Sequence, residues 1–236
     1  MVKRFRLLVL ASGRGSHAVN LIHAARDGRI SGEVARVVTD RPDALVLEEA
    51  RALGVPVLAL TPVAPGARLA PEAESALLRL AREEGADLVA LCGFMRLLSG
   101  DFLERVAVPV VNVHPSLLPA FRGLNAQRQA LESGVRVTGA TVHFVDPGMD
   151  TGPILLQAPL EILPGDTEQS LSDRLLPLEH RLYVEAIRLI QRGAVHREGG
   201  KVRIDPERTV SPGRNVPSGG DEMKAVERAK IGRAHV

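Results

Sequence analysis

The stretch that decides the fold is residues 7–18, which read Leu-Leu-Val-Leu-Ala-Ser-Gly-Arg-Gly-Ser-His-Ala. Its first part, Leu7–Ala11, is short and wholly apolar, which is typical of a strand buried on both faces. A turn of small residues follows, and the spacing of Val19, Leu21 and Ile22 then indicates a helix. A strand that turns through glycine into a helix is a unit of an open α/β sheet.

The same alternation continues along the chain. Segments with helical spacing separate further apolar runs at Val34–Thr39, Val55–Leu60, Leu88–Cys92 and Val108–Val113. Strands that alternate with helices predict a parallel sheet, and wholly apolar strands predict that helices cover both of its faces. The predicted fold class is therefore α/β, with a Rossmann-like open, mostly parallel sheet and helices on both faces.

The second half of the chain predicts a helix, two strands and a long helix. These are Ala126–Ser133, Thr138–Val145, Ile154–Ile162 and a helix opening at Asp166 or Thr167, which Pro177 should kink or interrupt. One domain is predicted over residues 1–193. Residues 194–236 are polar and predicted to be a largely disordered tail, with a short strand at Val202–Ile204. We interpret residues 230–236 as an artefact of sequencing.

Composition excludes several classes of protein. Thirty basic residues stand against 28 acidic ones, so no strong charge indicates nucleic-acid binding. The single cysteine, Cys92, has no partner for an intramolecular disulfide, which favours a reducing compartment. The apolar run near the start ends in a glycine turn rather than a cleavage site, and no window approaches the ~18 to 20 apolar residues of a membrane helix. We expect a cytoplasmic protein without membrane contact.

The glycine turn has more than one reading. Its backbone N–H groups and the positive end of the following helix suit a phosphate, although glycine also serves tight turns for geometric reasons alone. Residues 13–18 further match a relaxed dinucleotide fingerprint, G-x-G-x-x-A. Asp40 follows where a ribose-binding acid would lie. Taken alone, this region is equally consistent with a nicotinamide-dependent oxidoreductase.

The candidate reacting centre lies on the fifth strand. Asn112 and His114 are two residues apart, so both project to the same side near the carboxyl end of a central strand, where open α/β sheets bind ligands. A polar pair in a valine-rich strand is costly without partners, which favours a functional role over simple capping of the strand. Asp150 lies in the turn-rich loop of residues 146–153, which by itself reads equally well as an Asx turn.

Together these motifs carry a resemblance. Residues 12–16 (SGRGS), 93–99 (GFMRLLS), 112–119 (NVHPSLLP), 138–144 (TGATVHF) and the Asp150 loop resemble, in order from Arg4 to Arg192, the phosphoribosylglycinamide formyltransferase family. The resemblance implies the formyltransferase fold, 10-formyltetrahydrofolate as formyl donor and co-substrate, and glycinamide ribonucleotide as acceptor. We expect a monomer or homodimer, and no metal, because the seven histidines are scattered and the sequence has no CxxC motif.

The resemblance also implies roles for individual residues. Asn112, His114 and Asp150 match the catalytic trio. The phosphate loop of the ribonucleotide corresponds to Gly15, Ser16 and His17, and Glu179 matches a residue that holds the glycinamide end. The folate side corresponds to Met95, Arg96, Leu97 and Leu98 together with Asn112, and Arg68 is the choice for a folate-binding arginine.

Three departures and several alternatives accompany this interpretation. The folate-side arginine that the family has before the third helix has no clean match here, and Arg68 stands in for it. The family usually has Asn at the position of His17, and often His at that of Gln127. Methionyl-tRNA formyltransferase has a similar catalytic region, and Phe121-Arg122-Gly123 resembles it, but it carries a folded C-terminal module. Formyltetrahydrofolate hydrolase carries an N-terminal regulatory domain, whereas here the first strand begins close to Met1. A non-catalytic binding module is a further alternative.

Overall fold

A computed structural model describes residues 4–61 and 66–205 of the chain. It contains nine strands and six helices in these ranges. In chain order they are β1 (Phe5–Leu10), α1 (Ser16–Arg26), β2 (Gly32–Thr39), α2 (Val46–Ala52), β3 (Val57–Ala59), α3 (Pro71–Glu83), β4 (Leu88–Leu91), α4 (Gly100–Arg105), β5 (Val110–His114), α5 (Ala126–Ser133), β6 (Val137–Phe144), β7 (Ile154–Glu161), α6 (Glu168–Gln191), β8 (Val195–Glu198) and β9 (Lys201–Ile204).

Seven of these strands form one sheet in the order β3-β2-β1-β4-β5-β6-β7. The first five are parallel to one another, and β6 and β7 run antiparallel at one side. Strand order reverses between β1 and β4, which is the position where open α/β sheets leave a crevice at the carboxyl ends of their strands. The predicted fold class is confirmed.

The alternation of side chains along β1 explains why helices cover both faces. Leu7 and Val9 pack in one apolar cluster with residues of α1, α2 and α6, whereas Leu8 and Leu10 pack in a second cluster with residues of α3 and α4. All four side chains are at most 1% exposed. Because successive side chains of a strand point to opposite faces, a wholly apolar strand requires a layer on each side.

Three local features differ from the sequence-based expectations. β3 is shorter than predicted because it is an edge strand that pairs only with β2. The helix α6 continues across Pro177 without interruption, since apolar residues before and after it, such as Leu175 and Tyr183, are fully buried. Residues 195–204 form a hairpin, of which the sequence indicated only the second strand. Val195 and Val202 of this hairpin pack against the main core.

The domain boundary at Gly193 stays a prediction, and residues 206–236, with the interpreted artefact at 230–236, lie outside the described residues. Within the described ranges, no helix has the length and apolar character needed to cross a bilayer.

Candidate active site

A cleft of about 550 Å³ opens at the carboxyl ends of the central strands. The predicted site residues that line it are His17, Met95, Arg96, Leu97, Asn112, His114, Asp150 and Glu179. They come from the first turn of α1, the segment after β4, the strand β5, the loop after β6, and α6. Residues far apart in sequence therefore meet at one place, as expected at the reversal of strand order.

Asn112 and His114 lie on β5 as the two-residue spacing predicts, and both face this cleft. Asn112 pairs in register with His143 of the neighbouring β6, and its Nδ2 lies 3.3 Å from Nε2 of His143. His143 is only 2% exposed, and its Nδ1 lies 2.9 Å from the carbonyl oxygen of Phe144. A carbonyl oxygen only accepts, so Nδ1 of His143 carries a hydrogen.

His114 lies between two acceptors. Its Nε2 is 2.8 Å from the carbonyl oxygen of Phe121, and its Nδ1 is 3.4 Å from Oδ2 of Asp150. The side chain is 7% exposed. The carbonyl oxygen of Phe121 only accepts, so Nε2 of His114 carries a hydrogen, and the Asp150 carboxylate lies beside Nδ1.

Asp150 places one carboxylate beside two histidines. Oδ2 faces His114, and Oδ1 is 3.6 Å from Nε2 of His143. Burial by itself raises the pKa of Asp150, but the contact with His143, the N–H of Gly123 that donates at 2.8 Å, and the charges of both histidines together lower that pKa below its usual value. Asp150 is therefore an anion at neutral pH, and its negative charge lies beside both imidazole rings.

The backbone at Asp150 is unusual. Its φ is 54°, in the left-handed region that few residues other than glycine adopt, although Asp tolerates it better than most. Residues held in this region are found preferentially at functional sites. The conformation places the carboxylate between β5 and β6, which an Asx turn alone does not require.

The glycine loop has the features of an anion site. Gly15 has φ 84° and precedes α1, and in the described part of the chain no side chain caps this helix. The first-turn N–H groups, including those of Ser16 and His17, are therefore without intrahelical partners and are available to a phosphate. A Cβ at Gly15 would lie 2.3 Å from Cγ2 of Val46, so α2 packs directly against this glycine.

Asp40, which the dinucleotide reading assigns to a ribose, already has partners. It is 2% exposed, accepts a hydrogen bond from the Ser12 hydroxyl, and pairs with Nε of Arg96 at 2.7 Å. A ribose-binding acid must present a carboxylate to the ligand. Here both oxygens of Asp40 are committed to the protein, and Val46 fills the space beside Gly15, which argues against a nicotinamide site.

The predicted folate segment forms a wall of the cleft. Met95 is 57% exposed at its mouth, Leu97 lines it, and Leu98 is buried and lines a smaller adjoining cavity of about 70 Å³. The guanidinium of Arg96 also bonds the carbonyl of Gly66, so this side chain fixes the segment in place. Arg68 is exposed and forms a parallel bridge with Leu97, which places it next to the segment.

Glu179 and His17 meet at the other end of the cleft. Nε2 of His17 is 2.9 Å from Oε2 of Glu179, and the two side chains are 14% and 7% exposed. The two atoms are close without being aligned as a hydrogen bond, so the contact is electrostatic. The predicted ribonucleotide residues are thus brought together, with Gly15 and Ser16 beside the cleft rather than in its lining.

Other features of the described residues do not compete with this site. A groove of about 670 Å³ lies beside α1 and β2, lined by residues such as Arg4, Arg26 and Val34, and none of the predicted site residues lines it. No group of three or more His, Cys, Asp or Glu side chains in residues 4–61 and 66–205 is arranged to hold a metal ion.

Sequence reasoning assigned no role to His143. The residue was visible in the motif of residues 138–144 as a polar side chain between Val142 and Phe144. Its place beside Asn112 depends on the register between β5 and β6. A polar residue inside an apolar strand was the available signal.

Comparison with known proteins agrees with the geometry. The sequence model of the formyl transferase family matches residues 5–187. Phosphoribosylglycinamide formyltransferase of Bacillus subtilis (strain 168) is 38% identical over 183 residues, covering 78% of this chain and 93% of that protein. The enzyme of the same name from Escherichia coli (strain K12) is 36% identical over 207 residues, covering 88% and 97%.

Larger proteins and solved structures match as well. The trifunctional purine biosynthetic protein adenosine-3 of Drosophila melanogaster is 42% identical over 193 residues, and the chain spans only 14% of its length. The crystal structure of glycinamide ribonucleotide transformylase 1 from Symbiobacterium toebii superposes with a TM-score of 0.80 at 48% identity, covering 86% of this chain and 95% of that one. With these matches, the resemblance of the motifs is confirmed, and the chain belongs to the formyl transferase family.

Proposed function

We propose that this protein transfers the formyl group of 10-formyltetrahydrofolate to the amine of glycinamide ribonucleotide, giving N-formylglycinamide ribonucleotide and tetrahydrofolate in de novo purine biosynthesis. The observation that carries the proposal is the convergence of Asn112, His114 and Asp150 in one cleft. That cleft lies between an uncapped helix N-terminus suited to phosphate and the segment at residues 95–98. Relatives named for this activity share 36% and 38% identity over nearly their whole length.

The two ends of the cleft suit the two substrates. The phosphate of the ribonucleotide binds the N–H groups of Gly15, Ser16 and His17 at the start of α1, and Glu179 holds the glycinamide end. The formyl folate lies against Met95, Arg96, Leu97 and Leu98, with the Arg68 guanidinium beside the acidic part of the molecule. With both substrates bound in this way, the amine and the formyl carbon would meet next to Asn112 and His114, between the two binding regions.

The reaction then needs stabilisation of negative charge on oxygen. The neutral amine attacks the formyl carbon, a C–N bond forms, and the carbonyl electron pair moves onto the formyl oxygen. The side-chain amide of Asn112 and the imidazolium of His114 donate hydrogen bonds to this oxyanion. The bond between the formyl carbon and the folate nitrogen breaks, the electron pair stays on that nitrogen, and the proton lost by the amine reaches it with His114 as the general acid.

Asp150 has the supporting role in this scheme. Its carboxylate favours the imidazolium form of His114 and holds Nδ1, so that Nε2 is the donating atom. In the structure Nε2 faces the carbonyl of Phe121 at 2.8 Å, so the formyl oxygen competes with this carbonyl for the Nε2 proton. The positive charge that acts on the oxyanion comes from the protein's own side chains, and the proposed route requires no metal.

An absorbance assay tests the proposal. Purified protein is mixed with a 10-formyl folate, with and without glycinamide ribonucleotide, and His114→Ala is compared with His23→Ala, a change at an exposed histidine of α1 outside the cleft. We expect deformylation that depends on the ribonucleotide, is abolished in His114→Ala and is retained in His23→Ala.

Other outcomes of the same assay point elsewhere. Deformylation without the ribonucleotide would indicate a hydrolase. If no reaction occurs and the fluorescence of NADH changes when the protein is added, the nicotinamide-dependent interpretation would be restored. The cytoplasmic location and the oligomeric state, monomer or homodimer, stay predictions; sedimentation at several protein concentrations measures the second.

A further inference from the structure

His17 belongs to both ends of the ribonucleotide site. Its backbone is in the first turn of α1, where the N–H groups are available to a phosphate, while its side chain reaches Glu179 on α6. The 2.9 Å contact joins an imidazole and a carboxylate that are 14% and 7% exposed. Charges at this depth interact more strongly than at a surface because solvent screens them less.

Among the side chains of α6 that surround His17, only Glu179 carries a charge at neutral pH. The ring of His180 meets that of His17 edge to face at 4.9 Å between centroids, and Tyr183 lies at 6.4 Å. Burial and, secondarily, the charge of His17 lower the pKa of His180 to about 4, against the opposing effect of Glu179. Burial raises the pKa of Tyr183 well above its usual value. His180 and Tyr183 are therefore both uncharged at neutral pH.

Charged groups on the other neighbouring elements are directed elsewhere or lie in solvent. The helix α1 also packs against α2 and β2. Several charged or titratable side chains of α1, its preceding loop and α2 are exposed to solvent: Arg14, His23, Arg26, Glu48, Glu49 and Arg51. On β2, Glu33 pairs with Arg6 and Arg36 pairs with Glu84. Across the cleft, His114 and Asp150 form their own pair.

We propose that His17 is a positioning residue that links ribonucleotide binding to proton uptake: as an imidazolium it orients the Glu179 carboxylate and adds a positive charge beside the phosphate loop. This inference rests on the proposed function, since it concerns the same ribonucleotide site. The usual family residue, Asn, is uncharged, so a site with Asn here lacks both the charge and its titration. Histidine is the side chain whose charge normally changes between pH 5 and 8.

The sign of the linkage follows from the charges. A bound phosphate dianion places negative charge next to the start of α1, which favours the imidazolium over the neutral ring. Binding therefore takes up protons at His17, and the affinity gained from this residue falls as the pH rises and the ring loses its proton. By linkage, a ligand that binds one protonation state better shifts the population toward it.

Calorimetric titration of the whole protein with glycinamide ribonucleotide tests the inference. Wild type, His17→Asn and His17→Gln are titrated at pH 6.5, 7.5 and 8.5 in two buffers of different ionisation enthalpy, which gives both the Kd and the number of protons taken up. The matched control is His180→Gln, a change at the neighbouring uncharged histidine. Protonation of the ligand's own amine and phosphate is common to all variants, so the difference between variants isolates His17.

We expect the Kd of His17→Asn to exceed that of wild type about tenfold at pH 6.5 and about twofold at pH 8.5, with a smaller proton uptake; typical couplings between sites are about 5- to 150-fold. His180→Gln keeps the wild-type proton uptake. Equal proton uptake and a pH-independent ratio of Kd values in His17→Asn and His17→Gln would overturn the inference alone. Failure of the wild type to bind the ribonucleotide at any of these pH values would overturn the proposed function and the inference with it.

Discussion

Replacing Asp150 with Asn removes one negative charge from between two histidines and leaves the shape of the side chain almost unchanged. The separation of 3.4 Å between Oδ2 of Asp150 and Nδ1 of His114 corresponds to about 5 kcal/mol at an effective dielectric constant of ~20 and to about 1 kcal/mol in water. The carboxylate is 13% exposed at the edge of a cleft, between these limits. We take ~3 kcal/mol as the loss, which lowers the rate about a hundredfold.

The loss should appear in kcat rather than in the KM for the ribonucleotide. In the proposed mechanism the imidazolium of His114 acts on charge that develops only in the transition state, and an interaction of that kind affects kcat and kcat/KM together. Steady-state kinetics with each substrate varied in turn measures the two constants separately. Neutral Asn still tolerates the left-handed backbone at this position, so the loop conformation is retained.

Asp146→Asn is the matched control for this variant. Asp146 lies in the same loop, but its Oδ1 accepts hydrogen bonds from the N–H of Gly148 and the hydroxyl of Thr151, and its contacts serve the turn. We expect kcat of Asp146→Asn within about threefold of wild type, since a turn hydrogen bond contributes about 1 kcal/mol or less to such a loop. An unchanged kcat in Asp150→Asn, or a raised KM with unchanged kcat, would remove Asp150 from the mechanism.

Three further predictions follow from the same contacts. His143→Gln is expected to lower kcat about tenfold with little change in either KM, because Asn112 and Asp150 both lose a partner; unchanged kinetics would limit His143 to packing. The pKa of Asp150 is lowered in the folded protein, so its ionised form stabilises the fold above the usual pKa of 3.8. This contribution disappears as the pH falls through the lower pKa of the folded state. Urea unfolding should therefore show that the difference in free energy of unfolding between wild type and Asp150→Asn shrinks from pH 5 to pH 3. Asp40→Asn should lower the free energy of unfolding by ~2 kcal/mol, seen as a fall in Tm of about 4 to 8 °C, because the contacts of Asp40 with Ser12 and Arg96 are weakened. The same change should raise the KM for the folate more than that for the ribonucleotide. An unchanged Tm would contradict a stabilising role for these contacts.

The sequence predicted those parts of the molecule that depend on local pattern. Wholly apolar runs located the strands of the parallel sheet, because a strand covered on both faces cannot carry polar residues. The spacing of Asn112 and His114 placed both in the cleft, since residues two apart share one side of a strand. The strand, glycine turn and helical spacing of residues 7–22 predicted a helix start with available N–H groups, and α1 begins there after Gly15 without a side-chain cap.

Features that depend on contacts between distant segments could not be predicted in this way. The position of His143 beside Asn112 is set by the antiparallel register of β5 and β6. The loop after β6 folds back so that Asp150 contacts His114 of β5. Asp40 was misleading because the sequence shows an acid at the end of a strand but not that Arg96, 56 residues later, neutralises it. The continuity of α6 through Pro177 depends on burial on both sides of the proline.

The contacts of the buried Asp40 join the two proposed substrate-binding regions and hold them at a fixed separation. The Ser12 hydroxyl at the end of β1 donates to Asp40 at the end of β2 and accepts from the N–H of Met95 after β4 at 2.8 Å. Arg96, the residue after Met95, also pairs with the Asp40 carboxylate. The loop that precedes the proposed phosphate site and the segment assigned to the folate therefore both contact the Asp40 side chain or its partners. A transfer between two bound molecules gains most from such fixed geometry, because the entropy of bringing amine and formyl carbon together is lost on binding rather than in the transition state.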